Sequence, residues 1–132
     1  MQEFGCSLNQ SVEEIIKTVI EKIVEKIDSK ELFYQENREK IIFAISVHSL
    51  ECWILPIYES NKKEKIINCE DKLKYSISNS SSKKIKKLKT DKSYGNYDKL
   101  TQSFLKHKEL IKIVSKNTSF QIFINSLPNQ IE

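Results

Sequence analysis

One uninterrupted apolar stripe near the amino terminus constrains this chain more than any other feature. Val12, Ile15, Ile16, Val19, Ile20, Ile23, Val24 and Ile27 recur at alternating spacings of three and one, the period of a single helical face. Directly upstream, Ser11-Val12-Glu13-Glu14 is a capping-box signature, in which the Ser11 hydroxyl accepts from the Glu14 amide and the Glu14 carboxylate reaches back to the Ser11 amide. The pattern predicts a helix from Val12 to about Ser29. Its stripe is too short and too broad for a coiled-coil seam, so the cover should come from elsewhere in the fold, most simply from a sheet.

The segment that offers such a sheet is Lys40-Ile41-Ile42-Phe43-Ala44-Ile45-Ser46-Val47. It is β-branched and almost wholly apolar, the pattern of a strand buried on both faces. Ser49 to Leu55 then reads as a short helix closed by Pro56, since proline blocks helical continuation. Asn68-Cys69-Glu70-Asp71 opens a further helix to about Ile77, and Ser78 to Ser82 is a flexible break. Tyr97, Leu100, Phe104, Ile111 and Val114 mark a longer helix; Phe120, Phe123, Ile124 and Leu127 mark a last one, stopped by Pro128. The expected fold class is therefore α/β: a small, mainly parallel sheet of two to four strands flanked by helices, with a helix-rich carboxy-terminal part.

A length of 132 residues with 39% hydrophobic and 30% charged side chains is enough for a single domain over residues 1–132, with a Ser/Lys-rich break near 78–92. No basic, apolar leader is visible at Met1 to Gly5. The longest apolar run, Cys52 to Tyr58, is far below the ~20 residues of a spanning helix, so a cytoplasmic protein without membrane contact is expected. Cys6, Cys52 and Cys69 form an odd set without a Cys-x-x-Cys pair and read as reduced thiols. Cys52 lies near His48 in sequence, but nothing supplies the third, orienting group of a nucleophilic triad.

The net charge of +4 conceals a gradient. Residues 1–40 sum to −3, residues 41–82 to zero, and residues 83–132 to +7. Lys83, Lys84, Lys86, Lys87, Lys89 and Lys92 lie around only Ile85 and Leu88, and form a candidate nucleic-acid-binding segment able to neutralise several phosphates. Against this, Arg38 is the one arginine among 22 basic residues. Arginine is the usual residue for bidentate phosphate and guanine contacts, and the wealth of Lys, Ile and Asn has the look of an AT-rich coding bias.

The stretch Ile41-Ile42-Phe43-Ala44-Ile45-Ser46-Val47-His48-Ser49-Leu50-Glu51-Cys52-Trp53-Ile54-Leu55 resembles a strand-then-helix signature of bacterial Toprim-like proteins, in which a buried strand runs into a Glu-x-Trp-Leu-Leu-like turn. Tyr97-Asp98-Lys99-Leu100 and Ser119-Phe120-Gln121-Ile122-Phe123 are similar to that family's helical carboxy-terminal part. The resemblance implies Mg²⁺-dependent phosphodiester chemistry on strand-end carboxylates, in phage defence beside an ATPase partner. The family's Asp-x-Asp is missing here, so the chain looks like the portion downstream of the metal motif. Glu51 is the one carboxylate that carries over, as accessory Mg²⁺ ligand or helix-start cap; His48 is a weaker catalytic candidate and Trp53 a core residue.

Two functional readings follow. One is a nuclease-family remnant or subunit, inactive alone, that needs another chain to complete its Mg²⁺ site. The other is a non-catalytic module that binds nucleic acid or an acidic protein through Lys83 to Lys92. A sheet stripped of its first strands would also leave an open edge, so self-association as a two-fold homo-oligomer is expected along Ile41 to Val47 or the first helix.

Overall fold

In the computed structural model, which describes residues 10–28, 32–59 and 67–128, the capping box forms as the sequence predicts. The Glu14 amide donates to Ser11 Oγ and the Ser11 amide donates to Glu14 Oε2, both at 3.2 Å. Helix α1 spans Val12–Ile27 and ends where Asp28 turns extended, its amide still donating to the Val24 carbonyl; Ser29 lies outside the described residues. Ile15, Ile16, Val19 and Val24 are buried, while Ile27 at the end of the stripe is exposed.

The chain divides into two compact units, residues 1–47 with 118–132, and residues 48–117. In the first unit α1 is joined by α2 (Leu32–Asn37), a 3₁₀ turn (Arg38–Lys40) and α8 (Thr118–Ser126), the last of the elements numbered in chain order. Asp28 starts α2 by accepting a hydrogen bond from the Phe33 amide. Ile15, Ile16, Val19 and Val47 form the centre of this unit, with Val12, Ile20, Ile23, Ile45 and Ile122 packed around it.

The expected α/β fold is not what forms. Among the described residues there is no strand and no sheet, and residues 41–46, which leave the 3₁₀ turn through an extended Ile41, form no regular element. The side chains show why the pattern misled. Ile41, Phe43 and Ile45 are half-buried and Val47 is buried, whereas Ala44 is exposed and Ile42 is 41% exposed. The segment thus buries one face, not two. An apolar, β-branched run reports a face that needs covering, and here helices cover it: Ile45 and Val47 pack with the α1 stripe, and the Phe43 ring sits 6.0 Å from that of Tyr34 on α2. Pairing requires a second extended segment, and no described stretch supplies one. The open sheet edge invoked for self-association is accordingly absent from the described residues.

The second unit contains α3 (Glu51–Tyr58), α4 (Cys69–Ser78), α5 (Lys83–Lys86), α6 (Tyr94–Leu100), a 3₁₀ turn (Gln102–Leu105) and α7 (His107–Val114). Its core gathers Cys52, Ile54, Leu55, Cys69, Leu73, Ile77 and Leu100, with Ile57, Tyr58, Ile85, Leu88 and Tyr97 packed against it. Cys52 and Cys69 are joined by a disulfide that ties α3 to α4, which corrects the reading of these two as free thiols. The Tyr58 hydroxyl donates to the Leu100 carbonyl at 2.6 Å, and burial pushes its pKa up to about 12.

Two predicted boundaries fall differently. Pro56 lies inside α3 instead of closing it. A proline there removes the amide that would pair with the carbonyl four residues back, which is that of Cys52. The buried Asn117 takes its place, donating from Nδ2 to the Cys52 carbonyl at 3.1 Å. The long helix expected over Tyr97 to Val114 is broken after Leu100. There the Thr101 amide still donates to the Tyr97 carbonyl at 3.0 Å, with Thr101 Oγ1 adding a second bond at 2.7 Å, but Gln102 Nε2 donates at 2.9 Å to the Asp98 carbonyl, the acceptor that the Gln102 amide would use to continue the helix.

Truncating Ile16 to alanine should cost about 2–5 kcal/mol, the range for buried isoleucines. A change within about 0.5 kcal/mol in a urea titration would mean that the stripe faces solvent. Asn117→Ala should cost about 1–3 kcal/mol by stranding the Cys52 carbonyl. Pairing it with Pro56→Ala, which restores the helical amide, should recover part of that loss in a double-mutant cycle.

Candidate functional site

Glu51 opens α3 and is 3% exposed. A buried carboxylate needs partners, and the chain brings two from far away in sequence. The Tyr97 hydroxyl, on α6, donates to Glu51 Oε1, and Lys92 Nζ lies 4.0 Å from the same oxygen. Lys92 also reaches Glu70 Oε2 at 3.6 Å, and Glu70 pairs with Lys74 at 3.2 Å along α4. Ser93 positions Tyr97 by capping α6: its Oγ accepts from the Asn96 amide at 3.2 Å.

Burial pushes the Glu51 carboxyl up. The Tyr97 hydroxyl, the Glu51 amide, the Ser49 hydroxyl and the Lys92 charge push the other way, and the result lies below the ordinary Glu value of 4.5. Glu51 is therefore an anion at neutral pH. Tyr97 moves up, through burial, its hydrogen bond to Glu51 and the negative charges of Glu51 and Glu70, and stays a protonated donor.

These groups border an open groove of 590 Å³ lined by Ser49, Leu50, Glu51, Lys92, Ser93, Tyr94 and Tyr97. A second groove of 250 Å³ shares Leu50, Tyr94 and Tyr97 and continues to Ile54, Asp98, Thr101 and Phe104. Tyr94, at the start of α6, is 88% exposed.

The candidates from sequence separate here. Glu51 and Lys92 come together, as an ion pair. His48 is exposed, with its backbone in the left-handed region at φ 73°, and lines neither groove. Cys52 is consumed by the disulfide, and Trp53 is buried as expected. Lys83, Lys84 and Lys86 stand on α5, which Ser82 caps by accepting from the Ile85 amide. With Lys87 and Lys89 they are exposed, while Ile85 and Leu88 turn into the core. Among the described residues none of these five lysines takes part in an ion pair. Tyr97 was not read from the sequence as a partner of Glu51, since 46 residues separate them. A nearer signal was the Ser-x-x-Asn cap at Ser93, which places a helix start directly after the lysine run.

The Mg²⁺ implied by the Toprim resemblance does not fit this arrangement. Among the described residues no three His, Cys, Asp or Glu side chains group as a metal site, and the cation beside Glu51 is Lys92. Nor is any described helix long and apolar enough to cross a membrane. No family model, curated protein or solved structure matches this chain.

Tyr97→Phe should destabilise the protein by about 1–3 kcal/mol at neutral pH, because a buried carboxylate loses its donor. The folded-state pKa of Glu51 lies below its unfolded value, so its ionised form contributes stability above about pH 4.5, which is lost as pH falls through the folded value. The variant should therefore lose less stability than the parent between pH 7 and pH 3. Denaturant titrations at the two pH values check this, and parallel losses would show that the hydroxyl does not hold the charge.

Proposed function

We propose that this chain is a non-catalytic binding module that engages nucleic acid through the lysine surface of Lys83, Lys84, Lys86, Lys87 and Lys89. The observation that carries the reading is the state of these lysines: exposed, without carboxylate partners among the described residues, and fixed by Ile85 and Leu88 to the core of their unit. Cations already neutralised by neighbouring carboxylates offer little to a phosphate; among the described residues no carboxylate neutralises these. Their setting reinforces them. Residues 48–117 carry sixteen basic and eight acidic side chains, a net +8, whereas the other unit sums to −4. A field of one sign draws a polyanion toward one unit of the chain.

The nuclease-remnant reading has less behind it. The parallel sheet that would carry strand-end carboxylates is not formed by the described residues, and the cation at Glu51 is Lys92. Nucleic acid as partner puts the action in the cytoplasm, a reducing compartment where disulfides are seldom maintained. The lysine surface does not involve the cysteines, so the reading does not depend on their oxidation state. For self-association the surface to use is an open groove of 540 Å³ beside α1, lined in part by Ile16, Ile20, Val24, Tyr34 and Ile122.

Binding to labelled oligonucleotides should weaken steeply with salt. Each phosphate contact contributes a slope of about −0.9 in log K against log[salt] for duplex and about −0.7 for single strands. Changing all five lysines to glutamine should flatten the slope by several such steps without altering the melting temperature by more than a few degrees. An unchanged slope would reject the surface. Plasmid cleavage by the purified chain with Mg²⁺ or Mn²⁺, lost on Glu51→Ala, would restore the nuclease reading.

A further inference from the structure

The lysine surface accounts for phosphates but not for the groove beside it. We propose that the groove formed by Ser49, Leu50, Glu51, Tyr94 and Tyr97 receives an unstacked base of single-stranded nucleic acid, with Tyr94 as its stacking platform. The inference rests on the nucleic-acid reading above and narrows it to single strands.

Three observations point the same way. Tyr94 is 88% exposed and lines both grooves, so its ring is available for a planar partner. Stacking on an aromatic ring is how proteins hold single strands irrespective of sequence, since every base has a π-face. Next, the groove and the lysines have opposite polarity. Its lining includes the buried, ionised Glu51, which repels a phosphate and, beyond the Oε1 bond from Tyr97, has carboxylate acceptor capacity for the ring or amino N–H of a base, while Ser49 and Ser93 add hydroxyls. The lysines from Lys83 to Lys89 precede the groove residues Lys92 to Tyr94 by a few positions on one continuous segment. A strand with its phosphates on the lysines can therefore turn a base edge, the part of a nucleotide with N–H donors, toward the carboxylate. Finally, in a duplex those edges are paired and the faces stacked, so the groove offers nothing to double-stranded nucleic acid beyond what the lysines already give.

Lys92 is not counted among the phosphate contacts. Its side chain is 66% exposed, but its ammonium lies between Glu51 and Glu70, where it offsets their charges.

Fluorescence anisotropy on the full chain separates the possibilities, with four labelled probes of equal phosphate number: a DNA single strand, an RNA single strand, an abasic strand and a duplex. The parent should bind one or both single strands more tightly than the abasic strand. Tyr94→Ala should weaken single-strand binding about fivefold or more and leave abasic and duplex binding unchanged. Because Tyr94 is exposed, the variant should melt like the parent. The five-lysine variant should weaken binding to all four probes. If the parent does not distinguish the single strands from the abasic strand, or Tyr94→Ala binds them as the parent does, the base site is refuted while the lysine reading stands. If no probe binds at low salt, both fall together.

Discussion

The second unit depends on how deeply the first turns of α3 are buried. Five consecutive residues, Glu51 to Leu55, are each less than a tenth exposed, so this stretch of helix has no solvent face. An amphipathic helix leaves its polar groups in water; a helix buried all round must satisfy them internally. Each polar group here has a partner drawn from a different part of the unit. The Glu51 carboxylate has Tyr97 and Lys92, the Cys52 carbonyl orphaned by Pro56 has Asn117, and the Cys52 sulfur has Cys69. The order of the unit follows from these requirements: Cys69 of α4, Tyr97 of α6 and Asn117 beyond the end of α7 are all pinned to one turn of helix.

How much of this could be read from the sequence depends on the range of the interaction. The capping box of α1 is legible because its partners lie three residues apart, and the stripe because its period is local, although what covers it is not. The one-faced extended segment was legible as an apolar segment, but not its environment. Ile41 to Val47 would look the same beside a neighbouring strand or beneath helices, and the difference lies in residues far off in the chain. The Cys52–Cys69 bond spans 17 residues with no spacing signature. Asn117 had a signal that went unread: once Pro56 is placed inside a helix, a donor for the Cys52 carbonyl becomes obligatory. Reading proline as a stop removed the question that would have found it.

The same difference in range explains why the lysine run is not one feature. From sequence alone Lys83, Lys84, Lys86, Lys87, Lys89 and Lys92 are equivalent members of one basic segment. In the fold the first five surround Ile85 and Leu88 like the polar face of a short amphipathic element, and their charges face solvent. The sixth lies beyond the end of that element, close to two carboxylates. Exposed cations keep most of their attraction for a polyanion at low salt and lose it within roughly a Debye length of 10 Å at 0.1 M. A cation between two carboxylates has already spent that attraction.

Lys92 bridges two carboxylates that flank the cross-link. Glu51 and Glu70 are immediate neighbours of Cys52 and Cys69 in sequence, so a bond that holds the two cysteine Cα atoms 5.0 Å apart also draws the two carboxylates toward each other. Like charges close together and partly shielded from water raise each other's cost of ionisation. A lysine within 4.0 Å of one and 3.6 Å of the other offsets part of that cost, while the Tyr97 hydroxyl is the largest influence that keeps Glu51 ionised despite its burial. The anionic floor of the groove is thus not a property of Glu51 alone. It results from a helix without a solvent face whose buried carboxylate is kept ionised first by the Tyr97 hydroxyl, then by its own amide and the Ser49 hydroxyl, and least by Lys92.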